Sequence, residues 1–183
     1  MFSLKTYFDE ENDMYHLIFD RGDGETHELK FATYENTTDE PYYATDGQGC
    51  NVRTLGIALD MDYNEIYDLL HEEARFQRCQ PNKMRAMHPI LKEFGFHDLD
   101  LFNQNVQFLD LVCDYHLDTG VGPYVVVIPQ HMFCIENGII YENILNYKED
   151  PYADQFRYIL SRLLDPINGA IEMFYYHNGD YFA

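Results

Sequence analysis

The sequence predicts an α+β fold in which N-terminal helices pack on an antiparallel sheet, with an added N-terminal strand meander and a C-terminal helix. Three observations favour this fold. Aromatic and β-branched residues alternate with polar ones near the N-terminus, an apolar stretch with helical spacing follows a glycine-rich turn, and Asn137-Gly138 separates two strand-like runs. At 183 residues the chain suits one domain with a sizeable core.

The N-terminal third begins with three predicted strands, over 2–8, 14–19 and 27–34. Acidic turns separate these strands, and the simplest role for the acidic residues is a solvated surface. A polar connector over 35–47 then leads into a glycine-rich turn.

Three helices are predicted next. Apolar residues recur at mostly helical spacing from Val52, which predicts a first helix beginning near Cys50. A second helix is predicted over 62–75, because Asp62 followed by Glu65 is an acidic variant of the capping box. A third, short helix is predicted over 89–94, opened by its proline and stopped by the glycine that follows.

The second half of the chain is predicted to be mainly strands. Asn137-Gly138 is the strongest short hairpin signal, and it predicts that 131–136 pairs with 139–144. The remaining predicted elements are strands over 106–113 and 124–129, an amphipathic helix over 156–164, and an aromatic tail over 171–181 that forms a strand or a packed irregular segment.

The charge balance limits the classes of partner. Twelve Lys and Arg against 32 Asp and Glu leave a net charge of −20, which disfavours nucleic-acid or anionic-membrane binding and favours a basic partner. The four cysteines form no Cys-x-x-Cys pair, and the chain opens without a secretion signal, so we expect a cytoplasmic protein without disulfides. No paired ligand spacing predicts a metal site, and we expect no cofactor and no membrane span.

Cys50 raises the main chemical question. It follows Gly47 and Gly49 at the predicted start of a helix, where unpaired backbone N–H groups and the helix dipole favour a thiolate. The alternative is that Cys50 is a small buried hydrophobe, the commoner fate of a single cysteine. Cys113 and Cys134 are predicted to be core residues.

The order of motifs resembles that of papain-like cysteine peptidases, in which a cysteine at a helix start is followed by a histidine that opens a hairpin. The resemblance covers roughly 44–146 and is to the compact peptidase-like domains of phage and bacterial genomes, relatives of the bacteriocin-processing peptidases. It is carried by four stretches: Gln48-Gly-Cys50-Asn-Val-Arg53-Thr-Leu-Gly-Ile-Ala-Leu, Tyr63-Asn-Glu-Ile-Tyr67, Leu91-Lys-Glu-Phe-Gly-Phe96 and His131-Met-Phe-Cys-Ile-Glu-Asn137-Gly138-Ile-Ile-Tyr141.

The resemblance implies a catalytic site. Cys50 would be the nucleophile and His131 the general base, although His131 could instead be a satisfied histidine at a strand end. Glu142 or Asn143 would orient the imidazole; only one of them can, because neighbours in a strand point to opposite faces, and Asn143 is favoured. The Cys50 backbone N–H and the Gln48 side-chain amide would stabilise the oxyanion.

Two functions remain open. The first is a thiol hydrolase, of peptidase or amide-cleaving and deconjugating type, acting on a peptide or protein substrate with basic segments. The second is a catalytically inactive papain-like fold that serves as an acidic binding protein or inhibitor, such as a nucleic-acid mimic, of a basic host protein. A phage origin would place either in the host cytoplasm. The expected organisation is a β extension over 1–35, a peptidase-like domain over 36–147, and a C-terminal helix and tail over 148–183 packed on it.

Overall fold

The computed structural model describes residues 3–12, 14–33, 49–142 and 152–177 of the chain. Within these residues the fold is α+β, with one mostly antiparallel sheet and five helices, as the sequence predicts at this level. The sheet contains eight strands: β1 (Ser3–Asp9), β2 (Met14–Asp20), β3 (His27–Thr33), β4 (Phe96–Asp100), β5 (Tyr124–Ile128), β6 (His131–Glu136), β7 (Ile139–Glu142) and β8 (Met173–His177).

The helices cover both faces of this sheet. They are α1 (Gly49–Leu59), α2 (Tyr63–Gln77), α3 (Met84–Glu93), α4 (Phe108–Tyr115) and α5 (Tyr152–Leu164). The apolar residues of α1, α2 and α3 form one core cluster with one face of the sheet, and those of α4 and α5 form a second cluster with the other face. The architecture is therefore three layers, with the sheet in the middle.

The central strands show why this sheet needs helices on both sides. In β5, Val125 and Val127 belong to the α1–α3 cluster, whereas Tyr124, Val126 and Ile128 belong to the α4–α5 cluster. All five residues are buried. A strand covered on both faces has an almost continuous apolar sequence, which is what this segment has.

The N-terminal meander continues the same sheet. The strand order is β1-β2-β3-β7-β6-β5-β8-β4, and every neighbouring pair is antiparallel except β3 with β7. The predicted strands over 2–8, 14–19 and 27–34 are confirmed as β1, β2 and β3. Their attachment to β7 is not visible in the sequence, because parallel pairing brings together segments that are distant along the chain.

Polar contacts also join the meander to the rest of the fold. The His27 ring lies 3.0 Å from the Asp118 carboxylate, and both side chains are only 7% exposed. Arg21 contacts Asp110 and Asp114 on α4, at 3.0 and 3.5 Å. These contacts tie β2 and β3 to α4 and to the loop that follows it.

The hairpin between β6 and β7 is confirmed as far as Glu142, since residues 143 and 144 of the predicted second strand lie outside the described residues. Asn137 and Gly138 have φ angles of 53° and 73°, as a two-residue turn with two positive φ values requires. The register pairs Glu136 with Ile139 and Cys134 with Tyr141.

The predicted strand over 106–113 is wrong, because this segment forms α4. Its apolar residues are so closely spaced that they fit the period of a strand as well as that of a helix. The polar residues do fit a helix: Gln107, Asp110 and Asp114 follow at helical spacing, and they reach the surface or contact Arg21. Cys113, at the end of this segment, is buried as predicted, and so is Cys134.

Two further elements differ from the sequence prediction. The third helix begins at Met84 rather than at Pro89, so the proline lies inside α3. Residues 96–100, for which the sequence analysis predicts no element, form β4, which pairs with β8 at the edge of the sheet. The second helix is confirmed, and Glu65 accepts a hydrogen bond from the Asp62 backbone N–H at 3.3 Å.

The described helices are short. The longest, α2, has 15 residues, and no helix in the described ranges is long and apolar enough to cross a bilayer.

Candidate active site

Cys50 lies in the first turn of α1, as the sequence predicts. The helix begins at Gly49 and buries Val52, Leu55 and Ala58 against the sheet, so its N-terminal end is fixed by packing. The Cys50 side chain is partly exposed rather than enclosed in the core. Backbone N–H groups in a first helical turn have no partner within the helix, so they can stabilise a negative charge.

The thiol has one hydrogen-bond partner among the described residues. Cys50 Sγ donates to the side-chain oxygen of Asn51 at 3.2 Å, and Asn51 is itself 6% exposed. No acidic residue lies in the first turn of α1. The first turn of α1 therefore places no carboxylate next to the thiol.

The helix that carries Cys50 packs directly along the strand that His131 opens. Thr54, fully buried one turn after Cys50, donates a hydrogen bond from its hydroxyl to the Met132 carbonyl oxygen at 3.2 Å. At the other end of both elements, burial and then the charge of Asp60 raise the pKa of Glu136. Helix α1 and strand β6 therefore run in the same direction and begin at the same end of the sheet.

Simple geometry puts the two predicted catalytic residues at that end. Cys50 precedes Thr54 by one helical turn, which is about 6 Å along the axis, since each helical residue rises 1.5 Å. His131 precedes Met132 by one strand residue, which is about 3.3 Å. Residues separated by 81 positions in the chain thus lie at neighbouring element ends.

The imidazole of His131 nevertheless lies on the other face of the sheet. His131 pairs with Ile128, and the His131 ring centroid is 6.1 Å from that of Phe133; both neighbours belong to the α4–α5 cluster. Helix α1 packs on the opposite face, with Met132 and Cys134. The structure therefore brings the two elements together without a hydrogen bond between the thiol and the imidazole.

The remaining predicted site residues are less completely described. Glu142 is the last residue of β7, and its backbone pairs with Thr33 of β3. Gln48 and Asn143 lie outside the described residues. Which residue orients the imidazole, and which side chain supports the oxyanion, stay predictions.

Sequence reasoning missed two polar residues beside Cys50. Asn51 contacts the thiol, and Thr54 fixes the helix on β6. Thr54 could have been found from its position four residues after Cys50, on the helix face that the apolar residues define as buried.

The described residues contain no group of three or more His, Cys, Asp or Glu side chains placed to hold a metal ion. Comparison of the chain with protein-family models, with curated proteins and with solved structures finds no match.

The alignment of α1 with β6 can be tested at the end away from Cys50. The raised pKa means that folding disfavours ionised Glu136, so this group lowers stability as the pH rises through its folded pKa. We expect Glu136→Gln to increase the free energy of unfolding at neutral pH by up to about 1 kcal/mol, a small value because the group is partly solvated. The gain should vanish in acid, where the carboxyl group is protonated in both states.

A double-mutant cycle in urea would identify the neighbour. In the Asp60→Asn background the gain from Glu136→Gln should shrink, whereas it should be unchanged in the background of Glu93→Gln, an exposed control. Equal gains in all backgrounds would mean that the two element ends are not adjacent.

Proposed function

We propose that this protein is a thiol hydrolase of papain-like type, in which Cys50 is the nucleophile and His131 the general base. One observation carries the proposal: helix α1 and strand β6, which hold these residues, are joined by the Thr54–Met132 hydrogen bond and begin at the same end of the sheet. A protein that used Cys50 only to fill space would not need a partly exposed thiol at a helix N-terminus.

The chemistry assigned to the site is acyl transfer. His131 takes the proton of the Cys50 thiol, and the thiolate attacks the substrate carbonyl carbon to form a tetrahedral oxyanion. The Cys50 backbone N–H and the Gln48 amide stabilise that oxyanion. His131 then gives its proton to the leaving amine, which departs as the acyl-thioester forms, and water hydrolyses the thioester. Asn143 or Glu142 holds the imidazole.

This mechanism requires the His131 ring to leave the Phe133 side. His131 is the first residue of β6, so opening of its terminal pair with Ile128 frees the backbone to turn and carry the ring around the strand end toward α1. This opening does not require substrate, so the effect of His131 on Cys50 can be measured on the free protein.

The acidic surface suggests which substrates would bind. Three exposed carboxylates on α2, Glu65, Asp68 and Glu72, follow one another at helical spacing and define an acidic stripe. Within the described part of the chain, none of the three forms an ion pair. A substrate with basic segments would complement this charge, so we assign a peptide or protein of that kind.

The proposal is tested by the rate of thiol alkylation at neutral pH, followed by peptide mass spectrometry. Cys79 is an internal comparison because it is also partly exposed, whereas burial raises the pKa of Cys113 to about 11 and keeps Cys134 protonated by raising its pKa further. We expect Cys50 to be alkylated at least about ten times faster than Cys79, because activated cysteines are the more reactive ones.

Two variants sharpen the test. His131→Ala should slow the alkylation of Cys50 to the rate of Cys79, whereas His97→Ala, which removes an exposed histidine on β4, should leave the Cys50 rate unchanged. Equal rates for the two cysteines in the wild type, or a Cys50 rate that does not change in His131→Ala, would exclude the catalytic pair.

The second candidate is an acidic binding protein that keeps the fold without catalysis, and the unpaired stripe on α2 favours it. Solubility alone would also explain a high net charge, but it does not require the charge to be concentrated on one helix face. This candidate predicts salt-sensitive retention on immobilised polylysine. Retention should fall when Glu65, Asp68 and Glu72 are neutralised together, and should fall less when Glu10, Glu11 and Glu93 are neutralised instead.

A further inference from the structure

The outer edge of β1 is a long stretch of exposed strand. Strand β1 ends the sheet order, so within the described residues no strand pairs with its outer side. It has seven residues and no proline, and five of the seven are exposed, including Tyr7 at 47% and Phe8 at 38%. Unpaired edges of this length are templates for pairing with another chain unless they carry protective features.

The other edge of the sheet is shorter, and its two carboxylates carry charges of the same sign. Strand β4 is five residues long and carries Asp98 and Asp100, so a second acidic chain approaching it would be repelled. Strand β1 carries one positive charge, Lys5, and one negative charge, Asp9. In a chain with a net charge of −20, this edge has no net charge of its own.

We propose that β1 forms a symmetric homodimer interface, in which it pairs antiparallel with β1 of a second copy and joins the two sheets into one. The symmetry axis passes through Thr6. This arrangement opposes Leu4 with Phe8 of the second copy on the α4–α5 face, and Lys5 with Tyr7 on the other face. Ser3 lies opposite Asp9 at each end.

The strand is complementary to itself in this register. The Leu4–Phe8 pairs extend the apolar surface of β2, because Leu4 and Phe8 already lie opposite Phe19 and Tyr15 in the β1–β2 pairing. Lys5 contacts the face of an opposing tyrosine and lies diagonal to Asp9 of the second copy, so both its cation–π and its ion-pair partners are present.

Other registers of the same kind fit less well. Moving the axis to Lys5 would place two lysines directly opposite each other, which is destabilising. Moving it to Tyr7 would pair five residues of each strand instead of seven. A shift by a single residue would exchange the two faces of the sheet. Thr6 is therefore the position at which the interface can be tested.

The interface is small, so we expect a weak and reversible dimer. Sedimentation equilibrium over a wide concentration range should show the mass rising from 21.7 kDa toward twice that value. Thr6→Glu and Thr6→Lys should each remain monomeric, because each places two like charges on the axis. Thr119→Glu is the control: it adds the same charge at an exposed loop position and should dimerise like the wild type.

Mixing the two Thr6 variants tests the register itself. An equimolar mixture of Thr6→Glu and Thr6→Lys should recover the dimer, since opposite charges then meet on the axis, and circular dichroism should show both variants folded. A wild-type chain that stays monomeric, a Thr6→Glu dimer, or a mixture that fails to associate would overturn the proposal. Association of β1 only with a strand of a different protein would also overturn it.

Discussion

Replacing His27 by alanine is expected to lower the free energy of unfolding by about 2–4 kcal/mol, because it leaves a buried carboxylate without its hydrogen-bond partner and removes a packed ring. The His27 ring and the Asp118 carboxylate are 3.0 Å apart, with 7% of each side chain exposed. The ring also stacks on Phe19, with centroids 5.3 Å apart. In the variant, the Asp118 carboxylate would stay buried but would lose its hydrogen bond to His27.

Most of this loss of stability should come from leaving Asp118 buried without its partner, and a double variant can test this. The pair is already incompletely satisfied, because His27 Nε2 and Asp118 Oδ1 lack hydrogen-bond partners among the described residues. Urea denaturation of His27→Leu/Asp118→Leu should therefore show a smaller loss than His27→Ala alone. His97→Ala, at an exposed position, should cost little. A double variant that is less stable than His27→Ala would mean that the pair is strongly stabilising in itself.

Gly138→Ala is expected to lower the free energy of unfolding by about 2–4 kcal/mol, through backbone strain and overpacking together. Gly138 has a φ of +73°, and an added Cβ would lie 2.5 Å from the Asp118 carbonyl oxygen, a rigid backbone atom. The hairpin turn and the loop after α4 would have to separate. Urea denaturation measures the loss directly.

Gly24→Ala provides a matched control for this substitution. Gly24 also has a positive φ, +89°, but no atom lies within 4 Å of an added Cβ. Gly24→Ala should therefore lower the free energy of unfolding by about 1 kcal/mol, from backbone strain alone. Equal losses at the two glycines would show that the loop after α4 does not press on the hairpin.

The sequence predicted the elements whose signals are local. Strands β1 to β3 follow from alternation, and the hairpin follows from Asn137-Gly138, because a turn with two positive φ values favours these residues. Helix α2 follows from its start signal and its apolar stripe. In each case, the residues that determine the element lie within the element itself.

The errors arose where neighbours in space decide the structure. Helix α4 is nearly apolar, and only the polar positions Gln107, Asp110 and Asp114 reveal its period. Strand β4 exists because β8 offers it a pairing edge. The parallel pairing of β3 with β7 joins segments more than a hundred residues apart, and no local pattern encodes it.

The candidate site shows the same limit. The glycine turn and the apolar spacing correctly placed Cys50 in a first helical turn. The face on which His131 lies depends on the pairing of His131 with Ile128 across the turn at Pro129 and Gln130, and a shift of one residue would reverse it. Sequence alone does not fix that register.

The parallel join between β3 and β7 also affects how the protein is made. A nascent chain leaves the ribosome N-terminus first, so the meander emerges long before residues 139–142 exist to pair with it. Until then, β3 presents an open edge, and closing it requires a slow, long-range encounter. During synthesis the meander is therefore an incomplete sheet with an unpaired, aggregation-prone strand edge. Shielding during translation would matter more for this segment than for any local hairpin.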